Sequence, residues 1–334
     1  MKLHEALRIN LAELNEQLVA IAATDPDIQT EPWIAESVAR LVEAGGKRLR
    51  PMMVLVGARF GTEPDPTNVR KAALILEYLH MASLIHDDII DGAELRRGAP
   101  TLHKEVGVAA AAHIANYMMA RAVEWALDEA DPSAWSERTS RGSKPKLADV
   151  AMLLMQLCMG EYQQLDNRFN YDLSLSDYLE KSRNKTAVLM ANGFRIGAEL
   201  SQADKKVNRR LYAFGEAVGM AFQIKDDVLD YVETAEQIGK PAGSDLMAGN
   251  VTLPVLYALE DRSTPLAREI LSLGPDSAPE EFARVTRRIA ESDAIERSLA
   301  LSRSYALKAE RMIARLRPHP AADDLEQFLR YFTE

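Results

Sequence analysis

An acidic motif, Asp-Asp-x-x-Asp, stands twice in this chain, each time at the end of an apolar run. The copies comprise Asp87, Asp88 and Asp91, and Asp226, Asp227 and Asp230. On a helix, the first and last aspartates of the motif share one face, about 6 Å apart along the axis. Carboxylates that close repel each other, and a divalent cation removes the repulsion. One such cluster is common on solvated surfaces, but two copies behind apolar residues favour metal binding.

Basic residues accompany the first motif. Arg96 and Arg97 follow it within the length of two helical turns, and guanidinium groups suit phosphate through paired hydrogen bonds. Mg²⁺ in proteins takes one or two carboxylates together with substrate phosphate oxygens. We therefore expect a site for a metal and a phosphorylated substrate.

Other cationic positions have two interpretations each. The segment GGKRLRP, residues 45–51, places Lys47 and Arg50 by a glycine-rich turn. They either neutralise a helix C-terminus or bind an anion. His80, two turns before Asp87, is either a hydrogen-bonded core residue or an anion contact.

Lys185 and Thr186 begin the segment at residues 185–200, which is apolar after them. This order predicts that they lie at a helix start, where backbone amides favour anions. The alternative is a threonine cap beside an exposed lysine.

Helical periodicity covers the chain and predicts an all-α fold. Helices are expected at residues 3–23, 31–44, 52–60, 68–91, 106–130, 147–166, 185–200, 206–231 and 294–312. No stretch alternates as a strand does. We predict one domain over residues 1–334, an exposed loop at about 131–146, and a glycine-rich closing lid at 239–254.

Charge and composition exclude several classes of protein. A net charge of −10 argues against a general nucleic-acid binder. The single cysteine, Cys158, excludes an internal disulfide and is expected to be a buried apolar residue. No apolar run approaches the roughly 20 residues of a membrane span, and the N-terminus lacks the apolar core of a signal peptide. We expect a cytoplasmic protein that could touch a membrane surface.

Five motifs in order resemble the trans-polyprenyl diphosphate synthases, which are trans-prenyltransferases of the isoprenoid synthase fold. They are GGKRLRP at 45–51, HMASLIHDDIIDGAELRRGAPT at 80–101, KT at 185–186, FQIKDDVLD at 222–230 and GKPAGSDLMAGNVTLP at 239–254. Within the family, the last of these and SDAIERSLALS at 291–301 are most similar to the catalytic subunit, component II, of two-component heptaprenyl diphosphate synthases.

The resemblance implies a helical bundle around a central cavity, with the two aspartate clusters facing each other across its mouth. They would hold three Mg²⁺ ions on an allylic diphosphate, with Asp87, Asp91 and Asp226 as principal ligands and Asp88, Asp227 and Asp230 in support. Implied contacts to the allylic diphosphate are Arg96, Lys185, Thr186, Gln223 and Lys240. Implied contacts to isopentenyl diphosphate are Lys47, Arg50, His80 and Arg97.

The implied reaction is head-to-tail condensation of isopentenyl diphosphate onto farnesyl diphosphate, giving a C35 chain for menaquinone. The partner would be a small component I, or a second copy in a self-sufficient homodimer of another chain length. A class I terpene cyclase is a remote alternative, because it would lack GGKRLRP and the second DDxxD motif.

Small residues beneath the first motif bear on product length. Ala82 and Ser83 lie about one turn before Asp87 and would leave room for a growing tail, with Met118 and Met119 deeper in the cavity. The chain departs from the family pattern at Asn116 and Asn250, where many members have Asp and Lys respectively.

Overall fold

The computed structural model describes residues 2–25, 28, 31–96, 98–127, 147–232 and 242–333. These residues form an all-α structure. In chain order the helices are α1 (Leu3–Ala6), α2 (Leu11–Ala23), α3 (Pro32–Glu43), α4 (Leu49–Ala58), α5 (Pro66–Ile90), α6 (Leu102–Val106), α7 (Val108–Leu127), α8 (Leu147–Asp166), α9 (Leu175–Ser182), a π-helical turn (Arg183–Ala187), α10 (Val188–Leu200), α11 (Lys205–Val232), α12 (Ser244–Met247), α13 (Leu253–Ala258), α14 (Pro265–Leu271), α15 (Pro279–Ala290), α16 (Asp293–Leu316) and α17 (Ala322–Thr333).

Two short strands interrupt the helical pattern after α5. Strands β1 (Leu95–Arg96) and β2 (Ala99–Pro100) pair antiparallel in a small hairpin. Strands of two residues carry no periodicity, so the sequence did not reveal them.

The single N-terminal helix predicted over residues 3–23 is wrong. The chain breaks between α1 and α2, where Arg8 has a left-handed φ of 56°. Asn10 then caps α2 by accepting a hydrogen bond from the backbone of Glu13. Leucines at helical spacing are buried on both sides of the break, for example Leu7 and Leu18. This is why the periodic pattern ran through it.

The described chain divides into two compact units. The first contains Met1–Ala151, Gly193–Leu211 and His319–Gln327. Its centre is α5, on which α4 and α7 pack. Asp65 caps α5 by accepting hydrogen bonds from two backbone amides, and Pro66 occupies the first turn, where its missing N–H costs nothing.

The second unit contains Met152–Asn192, Tyr212–Pro318 and Phe328–Glu334. Its core includes Tyr178, Ile224 and Leu253, all fully buried. Here α13 packs on α9 and α16, and α15 packs on α12 and α14. The carboxyl-terminal half of α11, with the second aspartate motif, belongs to this unit. The expectation of one domain over residues 1–334 stays a prediction.

Four other expectations concern Cys158, a loop, membrane spans and location. Cys158 is exposed on α8, so the prediction that it is buried is wrong. The loop expected at 131–146 lies outside the described residues. None of the helices in the described part of the chain has the length and apolar character that a membrane span requires. The cytoplasmic location stays a prediction.

Candidate active site

Both aspartate motifs lie where carboxylates are electrostatically unfavourable. The first ends α5, with Asp91 as its C-cap, and the second occupies the last two turns of α11. A helix C-terminus carries a partial negative charge, so acidic side chains there are destabilised unless cations offset them. This placement gives a physical reason for each cluster to recruit a cation.

Asp88 of the first cluster is held by an arginine. Arg96 Nε donates to both oxygens of Asp88 at 2.8 Å, and Arg96 Nη2 lies 2.6 Å from Oδ1. The short hairpin therefore holds Arg96 beside the end of α5. Asp88 is buried, whereas Asp87 is half-buried and Asp91 exposed. Asp88 thus positions the arginine, and the outer two carboxylates are better placed for a metal ion.

The basic residues in and after the glycine-rich turn before α4 differ in how deeply they are buried. Lys47 is exposed and Arg50 is half-buried in the first turn of α4. Arg48 is buried and adopts a left-handed conformation with φ of 48°. His80 is half-buried in the middle of α5. All belong to the first unit, and their shared role in binding a diphosphate stays a prediction.

Arg48 is a structural residue. It donates hydrogen bonds to Glu77 Oε1 at 3.0 Å, Asn15 Oδ1 at 2.7 Å and the Val42 carbonyl at 2.6 Å. The arginine and glutamate side chains are 2% and 4% exposed. Arg48 therefore ties together α2, α3 and α5, and the charge cannot serve a substrate.

A chain of hydrogen bonds leads into the second cluster. Thr186 Oγ1 donates to Gln223 Oε1 at 2.5 Å, and Gln223 Nε2 donates to Asp227 Oδ1 at 2.8 Å. Tyr178 donates its hydroxyl to the other oxygen, Asp227 Oδ2, at 2.6 Å. Three residues predicted from two separate motifs are thus brought into one network. Tyr178 completes it and was missed.

Burial shifts the pKa values of two ionisable groups in and beside this network. It raises the pKa of Asp227 to about 7, against the opposing effect of Lys181 and two hydrogen-bond donors. Burial also lowers the pKa of Lys181, while Asp227 and Asp245 oppose that shift. Lys181 Nζ lies 5.2 Å from the centre of the Tyr178 ring. Asp227 therefore sits in a mainly apolar environment with one cation nearby.

The remaining aspartates of the second cluster differ in their surroundings. Asp230 accepts hydrogen bonds from Ser244 Oγ at 2.7 Å and from the Asp245 backbone at 3.0 Å. It thereby anchors the segment that begins α12. Asp226 is exposed on α11 and is the best placed of the three to reach a ligand in solution.

Lys185 and Thr186 do not lie at a helix start, contrary to the prediction. Helix α9 begins after the Ser174 cap and continues through the π-helical turn into α10. Both residues lie inside the π-helical turn, so the amides of a helix N-terminus are not available to an anion there. Lys185 Nζ lies 2.9 Å from Glu161 Oε1. Gly160 lets α8 approach the backbone of the π-helical turn, since a Cβ there would lie 2.7 Å from the backbone nitrogen of Lys185.

The carboxylates of the two motifs suit some metals better than others. Within the described ranges, no three His, Cys, Asp or Glu side chains converge on one point. A structural zinc site would need such a convergence. Mg²⁺ does not, because it keeps waters and substrate phosphate oxygens beside one or two carboxylates. The residues present therefore fit Mg²⁺ that arrives with a phosphorylated substrate.

The predicted product-length residues are placed as follows. Ala82 and Met118 are fully buried, whereas Ser83 and Met119 are half-buried. Ser83 Oγ donates to the His80 carbonyl at 2.8 Å. Two predicted diphosphate contacts, Arg97 and Lys240, lie outside the described residues.

Some residues of interest gave little or no sequence signal. Tyr178 and Lys181 precede Lys185 by seven and four residues, a helical spacing that would have placed all three on one face. Asn250 is 7% exposed, and in the described structure its side-chain oxygen has no hydrogen-bond partner. Asn116 is exposed on α7.

An all-α chain with two aspartate motifs at helix ends has the architecture of the isoprenoid synthases, which transfer prenyl groups. The sequence model of the family described as polyprenyl synthetase matches residues 31–289. The chain therefore belongs to the polyprenyl synthetase family and is a trans-prenyltransferase.

Individual relatives agree with this assignment. The chain is 43% identical to heptaprenyl diphosphate synthase component 2 of Geobacillus stearothermophilus, over 83% of this chain and 82% of that protein. It is 37% identical to heptaprenyl diphosphate synthase component 2 of Bacillus subtilis, over 90% of this chain and 82% of that protein.

Solved structures agree as well. Heptaprenyl diphosphate synthase from Staphylococcus aureus superposes with a TM-score of 0.83 at 29% identity, covering 96% of this chain and 95% of that one. A polyprenyl synthase from Caulobacter crescentus, complexed with calcium and isoprenyl diphosphate, superposes with a TM-score of 0.83 at 29% identity. The match covers 99% of this chain and 96% of that one.

Proposed function

We propose that this enzyme extends farnesyl diphosphate with isopentenyl diphosphate to a heptaprenyl (C35) diphosphate, in the presence of Mg²⁺, for a menaquinone side chain. The observation that carries the proposal is the hydrogen-bond chain from Thr186 through Gln223 to Asp227. It connects two expected diphosphate contacts to an aspartate motif. The relatives named heptaprenyl diphosphate synthase component 2 support the chain length.

Metal ions would be held by Asp87 and Asp91 of the first cluster and by Asp226 of the second, which are the more accessible carboxylates. Bound Mg²⁺ supplies Lewis-acid neutralisation of the charge that develops on a departing diphosphate. Asp88, Asp227 and Asp230 accept hydrogen bonds from Arg96, Gln223 and Ser244 respectively, and they position these residues.

The chain's own side chains bind and orient the two substrates. Arg96, Lys185 and Thr186 would contact the allylic diphosphate, and their charge and hydrogen bonds favour its departure. Lys47, Arg50 and His80 would hold isopentenyl diphosphate. Apolar residues such as Ala82 and Met118 exclude water from the allylic cation that forms when the diphosphate leaves. The proton lost after the new carbon–carbon bond forms goes to the departing diphosphate.

A direct assay tests the proposal. Purified protein is given farnesyl diphosphate, isopentenyl diphosphate and Mg²⁺, and the products are separated by chain length. Asp87→Ala and Asp226→Ala should each lower turnover at least about a hundredfold, with an unchanged melting temperature. Asp276→Ala, an exposed acid between α14 and α15, is the matched control and should be fully active. Wild-type turnover in both cluster variants would contradict the metal assignment.

We further propose that a separate, smaller component is needed for full activity, as the names of the component 2 relatives imply for those proteins. A self-sufficient synthase is the competing hypothesis. Solanesyl diphosphate synthases of plants are 33% to 34% identical to this chain, which keeps longer products open. Long products from the purified chain alone would reject the requirement for a second component.

A further inference from the structure

Lys181 is a buried cation to which the proposed reaction gives no task. It lies in the last turn of α9, directly before the π-helical turn, and is 8% exposed. In the described part of the chain no carboxylate forms a direct ion pair with it, and its Nζ lies instead 5.2 Å from the centre of the Tyr178 ring. A buried ammonium group without a direct ion pair costs free energy, so charges farther away must compensate for it.

Two aspartates from different helices supply this compensation. Burial has the largest effect on Lys181 and lowers its pKa, whereas Asp227 on α11 and Asp245 in α12 act to raise it. Glu161 and Lys185 also act on Lys181, but these two residues are paired with each other at 2.9 Å. Lys181 is therefore the counter-charge of the acidic groups on α11 and α12.

Lys181 influences the second aspartate cluster without occupying its oxygens. Asp227 accepts hydrogen bonds from Tyr178 on one oxygen and from Gln223 on the other. The backbone of Asp245 donates to the cluster as well, at 3.0 Å from Asp230 Oδ2. The lysine thus lowers the negative potential of the cluster through its field alone. Because the group is buried, salt screens this field only weakly.

A fixed positive charge has opposite effects on the two ions that the proposed reaction needs. It repels Mg²⁺ and attracts diphosphate. A cluster with this charge behind it therefore binds the bare metal less tightly than its carboxylates alone would. The repulsion is offset when the metal arrives with diphosphate, since the diphosphate carries negative charge of its own.

We propose that Lys181 is a positioning residue that makes metal binding at the second cluster depend on diphosphate. It acts on the cluster through its electrostatic field, so that the affinity for the metal alone is lowered and the affinity for diphosphate is raised. The inference rests on the proposed function, which supplies both the metal and the diphosphate. It adds a residue that determines the order in which the two ions bind.

Binding of the metal alone tests the first effect. The probe is Mn²⁺, which takes the same oxygen ligands as Mg²⁺, and free Mn²⁺ is measured by electron paramagnetic resonance with the full chain and no diphosphate. Lys181→Met should bind Mn²⁺ about tenfold more tightly, because a repelling charge is gone. Lys308→Met is the matched control and should bind as wild type does. Lys308 also lies over a tyrosine ring, 4.1 Å from the centre of Tyr305, but is exposed on α16.

Binding of inorganic diphosphate at saturating Mg²⁺ tests the second effect by titration calorimetry. Lys181→Met should weaken diphosphate binding by about tenfold, and Lys181→Arg, which keeps the charge, should restore both affinities to near the wild-type values. A lysine with a merely structural role would not move the two affinities in opposite directions, since a loosened site weakens both. Lys181→Gln repeats both measurements with a polar neutral side chain if the methionine variant does not fold.

The outcomes separate this inference from the proposed function. Asp226→Ala should remove the Mn²⁺ binding of the second cluster in wild type and in Lys181→Met alike. Mn²⁺ binding that survives Asp226→Ala unchanged would contradict the metal assignment on which both proposals rest. If Asp226→Ala removes binding but a folded neutral variant of Lys181 binds Mn²⁺ no more tightly than wild type, the inference about Lys181 alone is overturned. Failure of Lys181→Arg to restore the two affinities would overturn it as well.

Discussion

The Tyr178 hydroxyl donates a 2.6 Å hydrogen bond to Asp227 Oδ2, and both side chains are buried in the second unit. Asp227 is the middle residue of its motif and accepts from Gln223 through its other oxygen. The tyrosine therefore fixes the carboxylate that orients Gln223 and, through it, Thr186. The residue that organises this part of the site lies outside every recognised motif.

Removing the phenol hydroxyl should weaken both stability and catalysis. Tyr178→Phe leaves one oxygen of a buried carboxylate without its donor, which costs about 1.5–3 kcal/mol of unfolding free energy. Urea denaturation in EDTA measures the loss, and the KM for farnesyl diphosphate should rise because Gln223 is less well fixed. Tyr257→Phe, in which the ring still lies under Arg297, should change stability by less than about 0.5 kcal/mol. Equal stability of the two variants would contradict this role.

The raised pKa of Asp227 predicts a pH effect in the metal-free protein. The pKa is about 7 in the folded state against 3.8 for an unperturbed carboxyl, so folding takes up a proton between these values. The contribution to stability is therefore greatest at low pH and is lost as pH rises from about 4 to about 7. Melting in EDTA across this range should show a decline that Asp227→Asn reduces. An identical pH profile for the variant would show that another group is responsible.

Neighbouring basic residues in the turn before α4 should give opposite phenotypes. Arg48→Met leaves Glu77 buried without its cation and should cost about 3–5 kcal/mol, measured by chemical denaturation. Lys47→Met removes an exposed charge and should leave stability within about 0.5 kcal/mol. The lysine variant should instead raise the KM for isopentenyl diphosphate by about tenfold, the loss of one charge-assisted contact. A stable Arg48→Met protein would refute the structural assignment.

Gly243 should not tolerate a side chain. Its φ is +74°, and a Cβ there would lie 2.1 Å from Thr286 Oγ1. Gly243→Ala should cost about 1–3 kcal/mol and displace the segment that Asp230 anchors. Gly274→Ala is the control, because a Cβ there would meet nothing within 4 Å. Thermal melting distinguishes them, and a matching pair of melting temperatures would count against the geometry.

Ser83 offers the better of two positions for testing product length. Ala82 is fully buried, so a large side chain there would also disturb the core, whereas Ser83 is half-buried. Ser83→Phe should shift products to shorter chains by obstructing the tail below Asp87. Ala120→Phe, on the exposed side of α7, should leave the distribution unchanged. Unaltered products from Ser83→Phe would mean that the tail does not pass this position.

Long periodic elements and aspartate spacing were predictable from the sequence. The α8 bounds, 147–166, agree fully because the periodic run is bounded on both sides by turn-forming residues. The break at Arg8 was not predictable, since the apolar spacing continues through it. The role of Tyr178 was also not predictable, because its contact with Asp227 spans 49 residues and depends on how α9 packs against α11.

Local sequence likewise could not show that Arg48 and Lys47 have different roles. Both are basic residues of one glycine-rich turn, and the acceptors that hold Arg48 come from α2, α3 and α5. Burial of Asp88 and exposure of Asp91 are similarly tertiary properties. The motif identifies the group of carboxylates, and packing assigns their separate tasks.

The π-helical turn at Arg183–Ala187 has a consequence for insertions and deletions. A π-helical turn contains one residue more than the α-helical turn it replaces, so deletion of one residue there would let α9 and α10 join as a regular helix. The fold could survive, because a π-helical turn absorbs its extra residue within the turn and the side chains of α9 and α10 would keep nearly the same relative orientation. The residues inside the turn would move, and Thr186 would lose its hydrogen bond to Gln223. A length change here would abolish the site while preserving every motif, so alignment gaps, rather than substitutions, are the changes to look for in this segment.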